Sequence, residues 1–491
     1  MGGLQPVARV REVIRMQPSI QRLAIALLAT VVASLAQAQS NDPPRRDPDS
    51  VFPRLNSGGR SMRWFMKRKI VFAIMLACSS YATAQQGTTQ PPIQPEPPPK
   101  RADVLSTAAY VEDFEAAWAF VRDNYAYFDH KQTDWDRVRA LSRERVAGVQ
   151  SRKDLVIVLE EMMAELYDPH AHLGVNTDSS PRLLPSGADL WAELREGRAL
   201  LTAVRSGSEA ERAGLRAGME IITIDGKPVG EVVRQRLPRS LRVPDPAAED
   251  WALRVALAGR HDALVRVAIR AEGAEEVFEF RPGEADRPAA PLTARVLEDN
   301  IGYVRIHDAL GDTALISAWD AALDEVRGTR ALVLDLRDTP SGGNTTVARA
   351  ILSRLVSEEQ PYQRHELPGE EHRFGVRRIW VEHVAPRGPF TYDRPIAVLV
   401  GRWTGSMGEG ITIGLDAMQR ATIIGSPMAG LLGATYVTTL PNTGFEVRVP
   451  AERLYHVGGI PREAFVPAVS VQDAGPGADA ALMAALQLLR S

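Results

Sequence analysis

Ser406 follows the apolar run Ile396-Ala-Val-Leu-Val400 and opens a helical stretch that begins at Met407. A strand-to-helix turn exposes the hydroxyl. It also sets the helix's unpaired N–H groups and positive dipole end beside it, where a developing oxyanion would be stabilised. The same place is that of an ordinary N-cap serine, so the local sequence leaves both readings open. Thr404 stands where a Gly-x-Ser-x-Gly elbow needs its first glycine, which disfavours an α/β-hydrolase. A serine nucleophile needs a base near neutral pH. Lysine is scarce, six against 52 arginines, and Lys227 is the last of them. Histidine is the other candidate, because an imidazole titrating at about 6.5 can take the hydroxyl proton and return it to a leaving amine. The chain has nine histidines, among them His170 and His172 of Asp168-Pro-His-Ala-His172, and His456, and local sequence does not choose between them. His170 and His172 would also suit a metal pair. However, there is no His-Glu-x-x-His sequence and only one cysteine, so no metal or other cofactor is expected.

The elements that position these residues fall into three regions. Val111, Phe114, Trp118 and Val121 recur at helical spacing over 110–127, a second helix follows Thr133-Asp-Trp-Asp136, and a third runs from Ser151 to about Leu166. This is a helical cap over 103–183. From 184 to 284 the pattern turns to short strands: Ala199 to Val204, then a short glycine-ended helix within 206–218. Glu220-Ile-Ile-Thr-Ile224 then leads into an Asp225-Gly226 turn. From 294 to 491, near-continuous apolar strands at 301–306, 331–336, 396–400 and 421–424 alternate with helices at 314–326, 346–356 and 407–418. That alternation predicts a buried, largely parallel α/β sheet.

Composition sets the class. A hydrophobic fraction of 45% and a charged fraction of 24% are those of a globular protein with several domains. A net charge of −3 argues against nucleic acid as partner. Residues 1–84 read as a leader region. Arg22 precedes one apolar run that ends at Ala36-Gln-Ala38, and Met66-Lys-Arg-Lys69 precedes another that ends at Ala82-Thr-Ala84. Both have a basic flank, an apolar run too short for a span, and an A-x-A site. The second, within 62–84, is the better signal peptide, with Met62 or Met66 as its start. The proline-rich 85–102 after it is an extended linker. Export to the periplasm or outside the cell is therefore expected. Membrane attachment would need lipidation at Cys78, whose surrounding box is poor.

Longer segments carry a family likeness. Residues 206–229 are similar to the core of a PDZ domain, although its glycine-rich carboxylate-binding loop is not recognisable at Leu184-Pro-Ser-Gly-Ala-Asp-Leu190. Leu334-Asp-Leu-Arg-Asp-Thr-Pro-Ser-Gly-Gly-Asn344, Ser406-Met-Gly-Glu409 and Ala421-Thr-Ile-Ile-Gly425 together resemble the carboxy-terminal processing (tail-specific) serine peptidase family. The likeness implies a crotonase/Clp-protease-like α/β catalytic domain with an N-terminal helical cap and a PDZ-like β-rich domain. It implies Ser406 as nucleophile, with the N–H groups of Met407 and of Gly342 or Gly343 as oxyanion donors. Many members activate the serine with a lysine, where this chain reads Gly430-Leu-Leu-Gly433. The tricorn-core branch instead uses histidine and glutamate. Glu165-Leu-Tyr-Asp-Pro-His170 resembles its histidine segment, and Glu463 before Pro467 stands for its glutamate. Glu409 is read as a cap of the nucleophile helix. The expected partners are proteins or peptides, bound through their C-termini where the PDZ-like module serves. An inactive PDZ-bearing adaptor and an apolar-ligand-binding protein are the alternatives.

Overall fold

The computed structural model describes residues 105–490, except 272, 284, 286, 287 and 472–478. The leader, the linker and Cys78 lie outside the described residues. Three helices come first, Thr107–Asn124, Trp135–Val146 and Arg152–Ala164. Ser106, Asp134 and Ser151 cap them, each side-chain oxygen accepting a backbone N–H of the first turn. Tyr110, Phe114, Val121, Leu155 and Leu159 are fully buried at helical spacing, and they pack against Val447 and Val449 of the strand Glu446–Tyr455. The cap thus closes on a sheet contributed from near the far end of the chain.

The β-rich region is an antiparallel sheet in the order Leu190–Arg195, Arg198–Val204, Glu220–Ile224, Val265–Ala271, Ala274–Phe280. The expected turn is present, with positive φ at both Asp225 (49°) and Gly226 (75°), the combination a tight two-residue hairpin requires. Helices Val229–Arg236 and Pro246–Ala258 were not expected from the sequence. Ala248, Ala252 and Ala256 line the buried side of the second. Alanine gives little contrast between faces, which hides such a helix in a periodicity reading.

The sheet of the third region runs Val469–Ser470, Thr422–Gly425, Ile396–Val400, Ala331–Asp335, Ile301–Ile306, all parallel, and Leu292–Leu297 closes the edge antiparallel. Every residue of 331–335 and 396–400 is buried, as unbroken apolar strands require when both faces are covered. Helices Ala314–Glu325, Thr345–Leu352 and Met407–Ala417 cover one face, and Ala480–Arg490 covers the other. Because successive strands are neighbours, the loops after 335 and after 400 leave the same edge side by side. A second sheet, absent from the sequence reading, joins His172–Leu173, Glu446–Tyr455, Gln360–Glu366 and Ile379–Val384, with Ala434–Thr439 also on Glu446–Tyr455. Through it, the end of the cap, at His172–Leu173, meets the third region.

Candidate active site

Ser406 leaves the strand Ile396–Val400 through a turn that its own backbone completes with φ 49° and ψ −108°. Positive φ is costly for a residue with a Cβ, and such outliers persist where neighbours over-determine them. The neighbours here are specific. Thr404, fully buried, donates its hydroxyl to the Leu336 carbonyl at 2.9 Å, and Gly405 N–H donates to Thr339 O at 3.2 Å. The loop after Asp335 and the loop before Ser406 are therefore stitched together. Gly342 has φ 66°, and a Cβ built there would lie 2.3 Å from Ser406 Cβ. Only glycine fits at that approach. The N–H of Gly342 is already donated to Thr339 O at 3.2 Å, whereas Gly343 and Met407 N–H have no acceptor among the described residues.

Beneath the serine lies a carboxylate with two tasks. Glu409 is fully buried, accepting Ser406 N–H at Oε2 (2.7 Å) and Gly430 N–H at Oε1 (2.9 Å). The expected capping role is present, extended to a second loop. Arg462, equally buried, stands 3.8 Å from Glu409 and donates to Leu431 O at 2.9 Å and Gly433 O at 2.8 Å. Burial pushes the Glu409 carboxyl up to about 7, against the pull of Arg462 and of the donated N–H groups. The segment 430–433, where the family likeness would place a lysine, is thus gripped by an acid and an arginine.

His170 meets the same segment. Its Nδ1 lies 2.6 Å from Leu432 O, so Nδ1 carries the proton and Nε2 is left as the free base. Its backbone N–H donates to Asp168 Oδ1 at 2.9 Å, and Tyr125 Oη donates to the other oxygen of that buried carboxyl at 2.8 Å. Burial, then the charge of Arg462, push the His170 imidazole down to about 3, which keeps it neutral at physiological pH but makes the unliganded ring a weaker base than a free imidazole. His172 turns away, its Nδ1 2.9 Å from Leu173 O in the strand that pairs with Glu446–Tyr455. His456 lies 3.3 Å from Asp416, ten residues beyond Ser406 and so about 15 Å along the helix from it.

Ser406 and Gly342 are in direct contact, and His170 joins them through 430–433. Glu463 follows Arg462 in a short turn, and its backbone O borders Gly430. Burial raises its carboxyl, and Oε2 is enclosed without a hydrogen-bond partner. Among the described residues no hydrogen bond joins Ser406 to His170 or His170 to Glu463. Arg462 was missed in the sequence; its one signal is a lone cation between apolar Ile460 and Phe465.

Residues 300–464 match the model of peptidase family S41, and residues 106–164 match that of the tricorn protease C1 domain. The chain is a serine-type peptidase with a family S41 domain. A carboxyl-terminal-processing protease of Synechocystis is 24% identical over 395 residues, covering 76% of this chain and 85% of that protein. The carboxy-terminal processing protease CtpB of Bacillus subtilis is 27% identical over 243 residues, about half of each chain (48% and 47%). Among solved structures, the photosystem II D1 C-terminal processing protease gives a TM-score of 0.50 at 20% identity, covering 79% of this peptidase and 98% of that chain. Mature CPAF complexed with lactacystin gives 0.51 at 15% identity, covering 78% and 97%. The structural likenesses establish the fold.

Proposed function

We propose that the chain is an exported serine endopeptidase in which Ser406 attacks the peptide carbonyl and His170 is the general base. Nε2 of His170 takes the Ser406 hydroxyl proton as Oγ bonds to the carbonyl carbon. The oxyanion is received by the N–H of Met407 and of Gly343, with Gly342 kept bare so that the two can approach. His170 then gives its proton to the leaving amine, and water repeats the sequence on the acyl-enzyme. Glu463 steadies the transient imidazolium. Substrates are proteins or peptides, and the β-rich region, read as PDZ-like, presents their C-termini. Export rests on the basic-flanked apolar runs before residue 85.

The observation that carries this reading is the backbone of Ser406, held at positive φ beside a glycine and two N–H groups without acceptors among the described residues. A plain N-cap serine has no need of that conformation. His170 is favoured over its rivals because its Nδ1 is anchored on the segment that Glu409 also holds. The test is kcat/KM on an unstructured protein substrate for three variants. His170→Ala should lower it about 10³-fold or more, with His172→Ala and His456→Ala close to wild type. Equal losses in all three would mean that the base lies elsewhere.

A further inference from the structure

A cavity of about 440 Å³ opens between the β-rich region and the C-terminal edge of the catalytic sheet. It is apart from the Ser406 hydroxyl, but its walls include Arg337–Asp338 and Gly401–Trp403. These are the stretches that lead into Gly342 and into Ser406. Among the described residues five arginines line it, Arg205, Arg216, Arg305, Arg337 and Arg402, against three carboxylates, Glu211, Asp338 and Asp479. The carboxylates are committed. Asp479 takes both terminal nitrogens of Arg337 at 2.8 Å, Asp338 takes Arg205 at 3.0 Å, and Glu211 accepts Gly207 N–H at 2.7 Å. Arg402 pairs with Glu193 at 2.8 Å. Among the described residues Arg216 donates to the backbone carbonyls of Glu211 and Leu215, and Arg305 makes no hydrogen bond, approaching Asp338 at 3.9 Å and acting at longer range on Asp335. Arg205 is 2% exposed, and its Nε has no acceptor. Planar guanidinium forks suit oxyanions, and the volume is that of a small-molecule site.

We propose that this cavity binds a small multivalent oxyanion, a phosphate- or carboxylate-bearing molecule, with Arg216 and Arg305 as its principal ligands. The occupant bridges the β-rich region to the two loops that carry Ser406 and Gly342. Any effect on turnover rests on the proposed catalytic assignment, whereas the binding does not.

Titration calorimetry on the full chain, with inorganic pyrophosphate and separately with citrate, tests it. One of the two should bind one-to-one with a Kd below about 1 mM. Arg216→Gln combined with Arg305→Gln should weaken that binding by about tenfold or more, with unliganded Tm and circular dichroism unchanged. Tighter pyrophosphate marks a phosphate-bearing ligand, and tighter citrate marks a polycarboxylate. Should the double variant misfold, Arg216→Gln alone should weaken binding severalfold, since that side chain is half-exposed. Failure of both anions to saturate the protein, or undiminished binding in the folded variants, would overturn the assignment.

Discussion

Glu409→Gln separates what the fold needs from what the site needs. The carboxyl rises from the ordinary 4.5 to about 7 in the folded chain. The native state therefore holds a proton that the unfolded chain has already released, and stability falls as pH rises through that window. Integrated over it, the difference amounts to about 3 kcal/mol. Glutamine at 409 copies the protonated acid in shape and in having one acceptor and one donor end, and it does not titrate. Near pH 4 the variant and the wild type should accordingly be equally stable. Near pH 8 the variant should be the more stable by about 3 kcal/mol. Its activity should move the other way. Only the ionised carboxylate accepts both Ser406 N–H and Gly430 N–H, so one of the two loops is released. A displacement of that kind costs about 10²-fold in turnover. Denaturant titrations at both pH values, paired with kcat/KM, measure both effects. A variant less stable than wild type near pH 8, or one with unaltered turnover, would refute the reasoning.

Four further outcomes are expected. Gly342→Ala drives a Cβ to 2.3 Å from Ser406 Cβ at a positive φ; activity should be lost, with about 1–3 kcal/mol of stability by denaturant titration. Nitrogen NMR of His170 should report a neutral ring protonated at Nδ1, with no titration between pH 5 and 8, because its value is held near 3. Since that folded value lies below the unfolded one, the unfolded chain binds the proton first. His170→Gln should therefore flatten part of the stability lost as pH falls below about 6.5. Arg462→Gln should raise the His170 value, through the loss of a nearby cation, and should impair kcat more than KM.

The strands that place Ser406 were readable because they are buried on both faces and thus apolar throughout, as at 331–335 and 396–400. Their helices were found within a few residues, since each sets a wide apolar face on the sheet. The second sheet was not. In Ile379–Val384 exposed and less exposed residues alternate, and Pro361 sits at a register shift in Gln360–Glu366, so neither strand forms an apolar run. The serine and the glycine pair are local motifs, visible in a few consecutive residues. The grip on 430–433 is not local. It depends on the backbone carbonyls of Leu431, Leu432 and Gly433, which no side chain announces, and on Arg462 and His170, which lie 292 positions apart in the sequence but meet at one segment.

Covalent capture of the nucleophile bears most directly on the central claim. The full chain is treated with an active-serine phosphonate probe and mapped by peptide mass spectrometry. One adduct on Ser406 is expected, absent in Ser406→Ala and strongly slowed in His170→Ala, with both variants folded as judged by circular dichroism. An adduct on another serine, or a correctly folded wild type that takes no label, would contradict it.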